Sequence, residues 1–249
     1  MSIILIPNKK IIKYLQLSLS ISSLIEDVVK QEIVMTKAQE LEIQVSEQEL
    51  QQGCDRLRIA KKLYKTEDTL SWLEENYISP EDFEELIRFQ ITAEKLREHL
   101  FSEQVEPFFY QHQQDFIGAV IYEVFLDDHD LALDLYYSIT ENELTFNQVA
   151  HQYISDPQLR RLGGYKGIVS RENLRPEVSS AIFAAQPPQV LRPIITPTGV
   201  LLIYVEEIIQ PVLNDSLRIQ ILNRLFSNWL RQEMTMIEVV TPELDHNHD

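Results

Sequence analysis

Few residues in this sequence have the types and spacing that catalysis or metal binding requires. Among the 6 histidines, His99, His112, His129 and His151 show no ligand spacing to one another. The other two stand in Asp245-His246-Asn247-His248-Asp249, where paired imidazoles and carboxylates suit a divalent metal. No scaffold flanks that segment, so ordering entropy opposes a site and it reads as a solvated tail. The single cysteine, Cys54, excludes an intramolecular disulfide framework and a cysteine-based zinc cluster. It sits on an apparent helix face and reads as packing. No glycine-rich phosphate loop and no serine–histidine–acid arrangement is present. Glu74-Glu75, Glu81-Asp82 and Glu84-Glu85 form an acidic strip, a solvated face by default and a dock for a basic client otherwise. No metal and no cofactor are expected.

The elements that must position any site fall into two textures. Up to about residue 115 the chain reads as helical, with one glycine, Gly53, before Gly118. Leu24, Val28 and Met35 to Leu41 lie on a long segment. Ser46-Glu47-Gln48-Glu49 is a capping box opening a helix through Leu50, Cys54 and Leu57. A shorter helix holds Leu70, Trp72, Leu73 and Tyr77. Ser79-Pro80-Glu81-Asp82 combines an N-cap, a proline at the first helical position and first-turn acids, and predicts a helix through Phe83, Ile87 and Ile91. Phe116 marks a change. Ile117 to Leu126 is β-rich, helices follow over 127–138 and 146–153, and Gly163-Gly164 marks a sharp turn. Pro176 opens a further helix, and Val190–Ile195 and Val200–Ile208 are β-rich runs flanking Pro197-Thr198-Gly199. That order gives a small α+β domain. A last helix places Leu217, Ile221, Leu225 and Trp229 on one face.

With 39 acidic and 22 basic residues the formal net charge is −17. That field repels phosphate backbones and anionic lipid, which argues against nucleic acid and membranes as partners. Basic or neutral polypeptides remain. No run reaches the roughly 18 apolar residues of a membrane helix. Lys9, Lys10 and Lys13 before Tyr14 to Ser22 loosely mimic a signal peptide, but polar residues interrupt the apolar run and Glu26-Asp27 follow. The cytoplasm is the default expectation, and export through this segment the alternative.

Several landmarks carry a family resemblance. Gly163-Gly164-Tyr165-Lys166-Gly167, Ser170-Arg171, Ile182-Phe183-Ala184, Pro193, Thr196 and Gly199 stand at the spacing of a parvulin-type peptidyl-prolyl isomerase, or rotamase, domain. The resemblance runs without gaps from Ser155 to Glu206. The flanks are similar to SurA/PrsA-like chaperones, in which a helical N-terminal segment precedes the rotamase domain and a C-terminal helix returns to it. The implied architecture is α+β: residues 1–114 a helical chaperone domain, 115–210 the rotamase domain, 211–237 a helix packing on the helical domain and 238–249 a disordered tail.

The resemblance also locates a site, and there the sequence departs from the family. A first-strand histidine is replaced by Glu123, a cysteine or aspartate before the glycine turn by Pro157, and a histidine after the hairpin glycine by Leu201. The proline-binding floor corresponds to Lys166, Leu174 and Val178, with Thr196 beside it. Phe183, like Leu174 and Val178, also reads as ordinary core. Rotation about an X–Pro amide has a barrier of about 18–20 kcal/mol, and a catalyst must bind the twisted form better than the planar ones. Polar groups aimed at that amide supply the difference. Leucine and proline supply none, leaving Asp156 and Thr196 as substitutes. The expected function is therefore a polypeptide-binding chaperone or folding factor with weak or absent isomerase activity. The alternative is an active isomerase on proline-containing clients. The sequence leaves oligomeric state and client identity open.

Overall fold

A computed structural model describes residues 4–241. Five helices lead the chain: α1 (Asn8–Leu17), α2 (Ile21–Glu40), α3 (Glu47–Ala60), α4 (Thr66–Glu75) and α5 (Pro80–Phe101). After a 3-10 turn come α6 (Val105–Gln111), β1 (Gly118–Leu126), α7 (His129–Thr140), α8 (Phe146–Tyr153) and α9 (Pro157–Arg161). The remainder is β2 (Tyr165–Ser170), α10 (Pro176–Phe183), β3 (Gln189–Val190), β4 (Ile194–Thr196), β5 (Gly199–Ile209) and α11 (Asp215–Thr235). The chain divides into two compact units, one made of residues up to Val105 with those from Asp215 onward, the other Glu106–Asn214. The metal-like motif at 245–249, and the tail beyond residue 241, lie outside the described residues.

In the helical unit, local sequence chemistry sets the helix starts. Ser46 Oγ accepts from the Glu49 amide while Glu49 Oε2 accepts from the Ser46 amide at 2.8 Å, closing a reciprocal cap on α3. Ser79 and Asp82 do the same for α5, behind Pro80. From that start α5 directs Phe83, Ile87 and Ile91 against Leu50 and Leu73. Trp72 stacks edge-on against Phe83 at 6.2 Å, so both belong to the core, whereas Tyr77 is 95% exposed. The C-terminal helix α11 returns to α2 and α5. Arg97 Nη1 donates to Asn223 Oδ1 at 2.6 Å, and Phe101 meets Phe226 and Trp229. The expected stripe on α11 is wider than sequence periodicity suggests. Ile221 and Leu222 are fully buried while Leu217, Leu225 and Trp229 are half-buried, because two helices rather than one flank α11.

The second unit is built on an antiparallel sheet ordered β2-β1-β5-β3, with β4 paired to another stretch of β5. Strand alternation gives the sheet two faces. Val124, Leu126, Val200 and Leu202 face α7 and α8, packing on Ala132, Leu135, Phe146, Val149 and Ala150. Ala119, Ile121, Ile203 and Val205 face the other way, under Val178 and Ile182 of α10 and Leu191. Two elements of this unit were not anticipated. β2 is an edge strand with no buried residue, interrupted by Gly167, so it lacks an apolar alternation. α9 is a single short turn. The predicted strand over Val190–Ile195 is split into β3 and β4 at Pro193, which has no amide to donate to a ladder.

Candidate functional site

The second sheet face is not covered along its whole length. α10 shields Ala119 and Ile121, but two residues further along β1 the same parity brings Glu123 and Phe125 beyond the core. Glu123 pairs with Ile203, and Phe125 with Leu201, across to β5. The result is a cleft of about 240 Å³ lined by Glu123, Phe125, Leu174, Val178, Thr196 and Leu201 together with Asn173, Arg175 and Thr198.

Backbone contacts fix that cleft. The Glu123 amide donates to the Gly164 carbonyl at 2.9 Å. Gly164 has φ +83°, and a Cβ there would lie 2.7 Å from the Glu123 carbonyl oxygen, so the turn can press on β1 only as glycine. At the other rim the Phe125 ring occupies the space where a side chain on Gly199 would begin. Thr196 Oγ1 donates to the Gly199 carbonyl at 2.8 Å, tying the β4–β5 turn together. On the opposite sheet face Tyr122, Tyr165, Tyr204 and Phe146 cluster, and burial beside Glu206 pushes the Tyr122 phenol pKa up.

The structure thus brings together Glu123, Leu174, Val178, Thr196 and Leu201, and separates others from them. Pro157 is exposed at the first position of α9 and does not line the cleft. Asp156 is the cap of that helix, its carboxylate accepting from the Leu159 amide at 2.7 Å, so it is no substitute acid in the cleft. Lys166 is not part of the lining either. It reaches Glu123 from edge strand β2, with Nζ 3.6 Å from Oε1. The Thr196 hydroxyl hydrogen is already given to Gly199, which removes it as a donor toward a twisted amide. Phe183 carries the Arg171 guanidinium over its ring at 4.3 Å, a packing role that joins two of the landmark segments.

Sequence reasoning missed Phe125, Asn173, Arg175 and Thr198. For Phe125 the signal was present, because strand alternation puts it on the same face as Glu123. The other three sit in loop or turn positions that alternation does not reach.

Residues 127–207 match the family model of the rotamase, a PPIC-type PPIASE domain. The second unit carries a rotamase domain. The match begins just after β1, so Pro157, Lys166, Leu174, Val178, Thr196 and Leu201 lie inside it and Glu123 lies outside. Among solved structures, the peptidylprolyl isomerase PrsA of Bacillus anthracis superposes with a TM-score of 0.52 at 17% identity, covering 88% of this chain and 100% of that one. PrsA of Bacillus cereus gives 0.50 at 17% identity, covering 96% and 92%. One of the structures of two SurA-like chaperones of Campylobacter jejuni gives 0.37 at 15% identity, covering 84% and 94%. The first two similarities are similarities of fold: a helical N-terminal region and C-terminal helix together with a rotamase domain. No curated protein matches the sequence.

Proposed function

We propose that this chain is a polypeptide-binding chaperone or folding factor whose rotamase cleft holds extended segments and isomerises prolyl bonds weakly or not at all. The observation that supports it is the lining. Phe125, Leu174, Val178 and Leu201 offer apolar shape, while the Thr196 hydroxyl is spent on the turn and Asp156 on a helix cap. Apolar contact binds planar and twisted amides about equally, so the barrier falls only by what the other polar lining residues, Asn173, Arg175 and Thr198, contribute.

Grooves beside α2 extend the same reading to the helical unit. One of about 690 Å³ is lined by Met35, Ile43, Val45, Arg88 and Thr92 among others, and client affinity is assigned chiefly to this unit. No described helix is long and apolar enough to cross a membrane. The cytoplasmic placement gains no support from the similarities to known proteins, and export stands as the alternative within this proposal.

The test runs two assays side by side on the purified chain: protease-coupled isomerisation of Ala-Pro and Leu-Pro peptides, and suppression of aggregation of an unfolded client. Suppression with an isomerisation rate far below that of an ordinary parvulin is the expected result. Combined Glu123→His and Leu201→His should raise the rate more than either alone, since groups acting as one constellation are non-additive. A wild-type rate equal to that of active parvulins would reverse the reading and make the chain a working isomerase.

A further inference from the structure

Glu123 is a carboxylate set among apolar side chains. It keeps 23% of its side-chain surface exposed, and the residues lining the cleft around it include Phe125, Leu174, Val178 and Leu201. Its backbone is pinned through the Gly164 carbonyl, so the head group is held at the cleft rather than free to swing with a loop. The Lys166 ammonium lies 3.6 Å from its Oε1, which is an ion pair but too long for a hydrogen bond. Lys166 approaches from an edge strand, 42% exposed, on a flexible stem. A charge beside apolar walls is screened less than one in open water, and a loosely held partner leaves it available.

We infer that the cleft selects polypeptide segments carrying a lysine or arginine beside an apolar residue, with Glu123 reading the positive charge and Lys166 as the cation that the ligand displaces. The inference rests on the polypeptide-binding reading above and names the class of segment bound. A ligand guanidinium can meet a carboxylate with two parallel N–H···O bonds, which Lys166 at its present distance does not. Phe125, Leu174 and Val178 receive the neighbouring apolar side chain. Arg175, an exposed residue of the same lining, is placed to donate to a backbone carbonyl of that segment. The net charge of −17 draws cationic segments toward the protein at low salt.

The experiment uses the full chain and three fluorescein-labelled peptides that differ only in the residue before proline: Ala-Lys-Pro-Phe, Ala-Gln-Pro-Phe and Ala-Glu-Pro-Phe. Binding is read by fluorescence anisotropy at low and moderate salt. The lysine peptide should bind about tenfold tighter than the glutamine peptide, the lower end for a charge-assisted hydrogen bond at a partly exposed site. The glutamate peptide should bind weakest. Glu123→Gln should bring the lysine-to-glutamine ratio to about one, and Lys166→Gln should widen it, because the competing cation is gone. The opposite signs separate charge reading from damage to the fold, and Lys166→Gln alone decides the matter if the first variant fails to fold. Equal affinity for all three peptides, tighter binding of the glutamate peptide, or a ratio unmoved by both variants overturns the inference while leaving polypeptide binding intact. Absence of saturable binding by any of the peptides overturns the inference together with the cleft's part in polypeptide binding, while the aggregation assay decides the helical unit's part.

Discussion

Ile221 offers a direct test of how the helical unit is closed. It lies on α11, separated from α5 by the whole rotamase domain in sequence, yet it is fully buried. Ile221→Ala removes three carbons, about 2.4 kcal/mol at ~0.8 kcal/mol per buried CH₂. The cavity left between α11 and its neighbours adds to that, giving about 3 kcal/mol within the roughly 2–5 kcal/mol range of such truncations. At about 2–4 °C per kcal/mol for a unit of this size, the midpoint should fall by roughly 6–12 °C. Both tryptophans, Trp72 and Trp229, lie in the helical unit, so the thermal transition of tryptophan fluorescence reports that unit selectively. Ile219→Ala, on the same helix but 51% exposed, should move the midpoint hardly at all. If the two variants melt alike, or Ile221→Ala melts with the wild type, α11 is not part of the helical core and the packing argument is wrong.

Acid titration should also act through the α3 cap. Hydrogen bonding to Lys95, and next to the Ser46 amide, lowers the Glu49 pKa from its ordinary value of 4.5 to about 2. Between those values the unfolded chain binds the proton that the folded one does not, so the contribution is complete above pH 4.5 and fades toward pH 2. Urea titrations followed by tryptophan fluorescence should show Glu49→Gln flattening this acid limb, and an unchanged slope would count against it. In the rotamase domain, Gly164→Ala must place a Cβ at φ +83° against the Glu123 carbonyl. The left-handed conformation alone costs about 1–2 kcal/mol, so calorimetry should show a lower midpoint together with weaker peptide binding.

Legibility of the sequence followed the range of the interaction. The caps at Ser46 and Ser79, the helix over Phe146–Tyr153 and the strands Gly118–Leu126 and Gly199–Ile209 are specified by residues within a few positions of one another, and each formed where its signal stood. β2 was missed because an edge strand needs no apolar alternation and this one contains Gly167. Leu222 was missed because its burial depends on two helices that only the folded chain brings to α11. At the site, Phe125 was within reach of the alternation along β1. The displacement of Pro157 from the cleft was not, since it depends on Asp156 nucleating a short helix that points the chain elsewhere. Lys166, too, entered as a wall of the proline floor and turned out to face a carboxylate.

The residues that carry the rotamase resemblance have structural work in this fold. Gly164 accepts the Glu123 amide in a turn that tolerates no side chain. Arg171 lies over Phe183, tying the segment after β2 to the end of α10. Thr196 holds the Gly199 carbonyl and so the turn into β5. Pro157 and Leu201 depart from the family pattern: Pro157 is exposed on α9, while Leu201 packs against the core under α10 and also lines the cleft. Fold and chemistry are therefore written in overlapping but not identical residues, and a domain can keep contacts that build its cleft while changing what the cleft presents to an amide. The first set builds the cleft in which, on the proposed reading, a polypeptide would lie. What the cleft presents follows from the second set, in which a single carboxylate, Glu123, shares the lining with Phe125, Leu174, Val178 and Leu201.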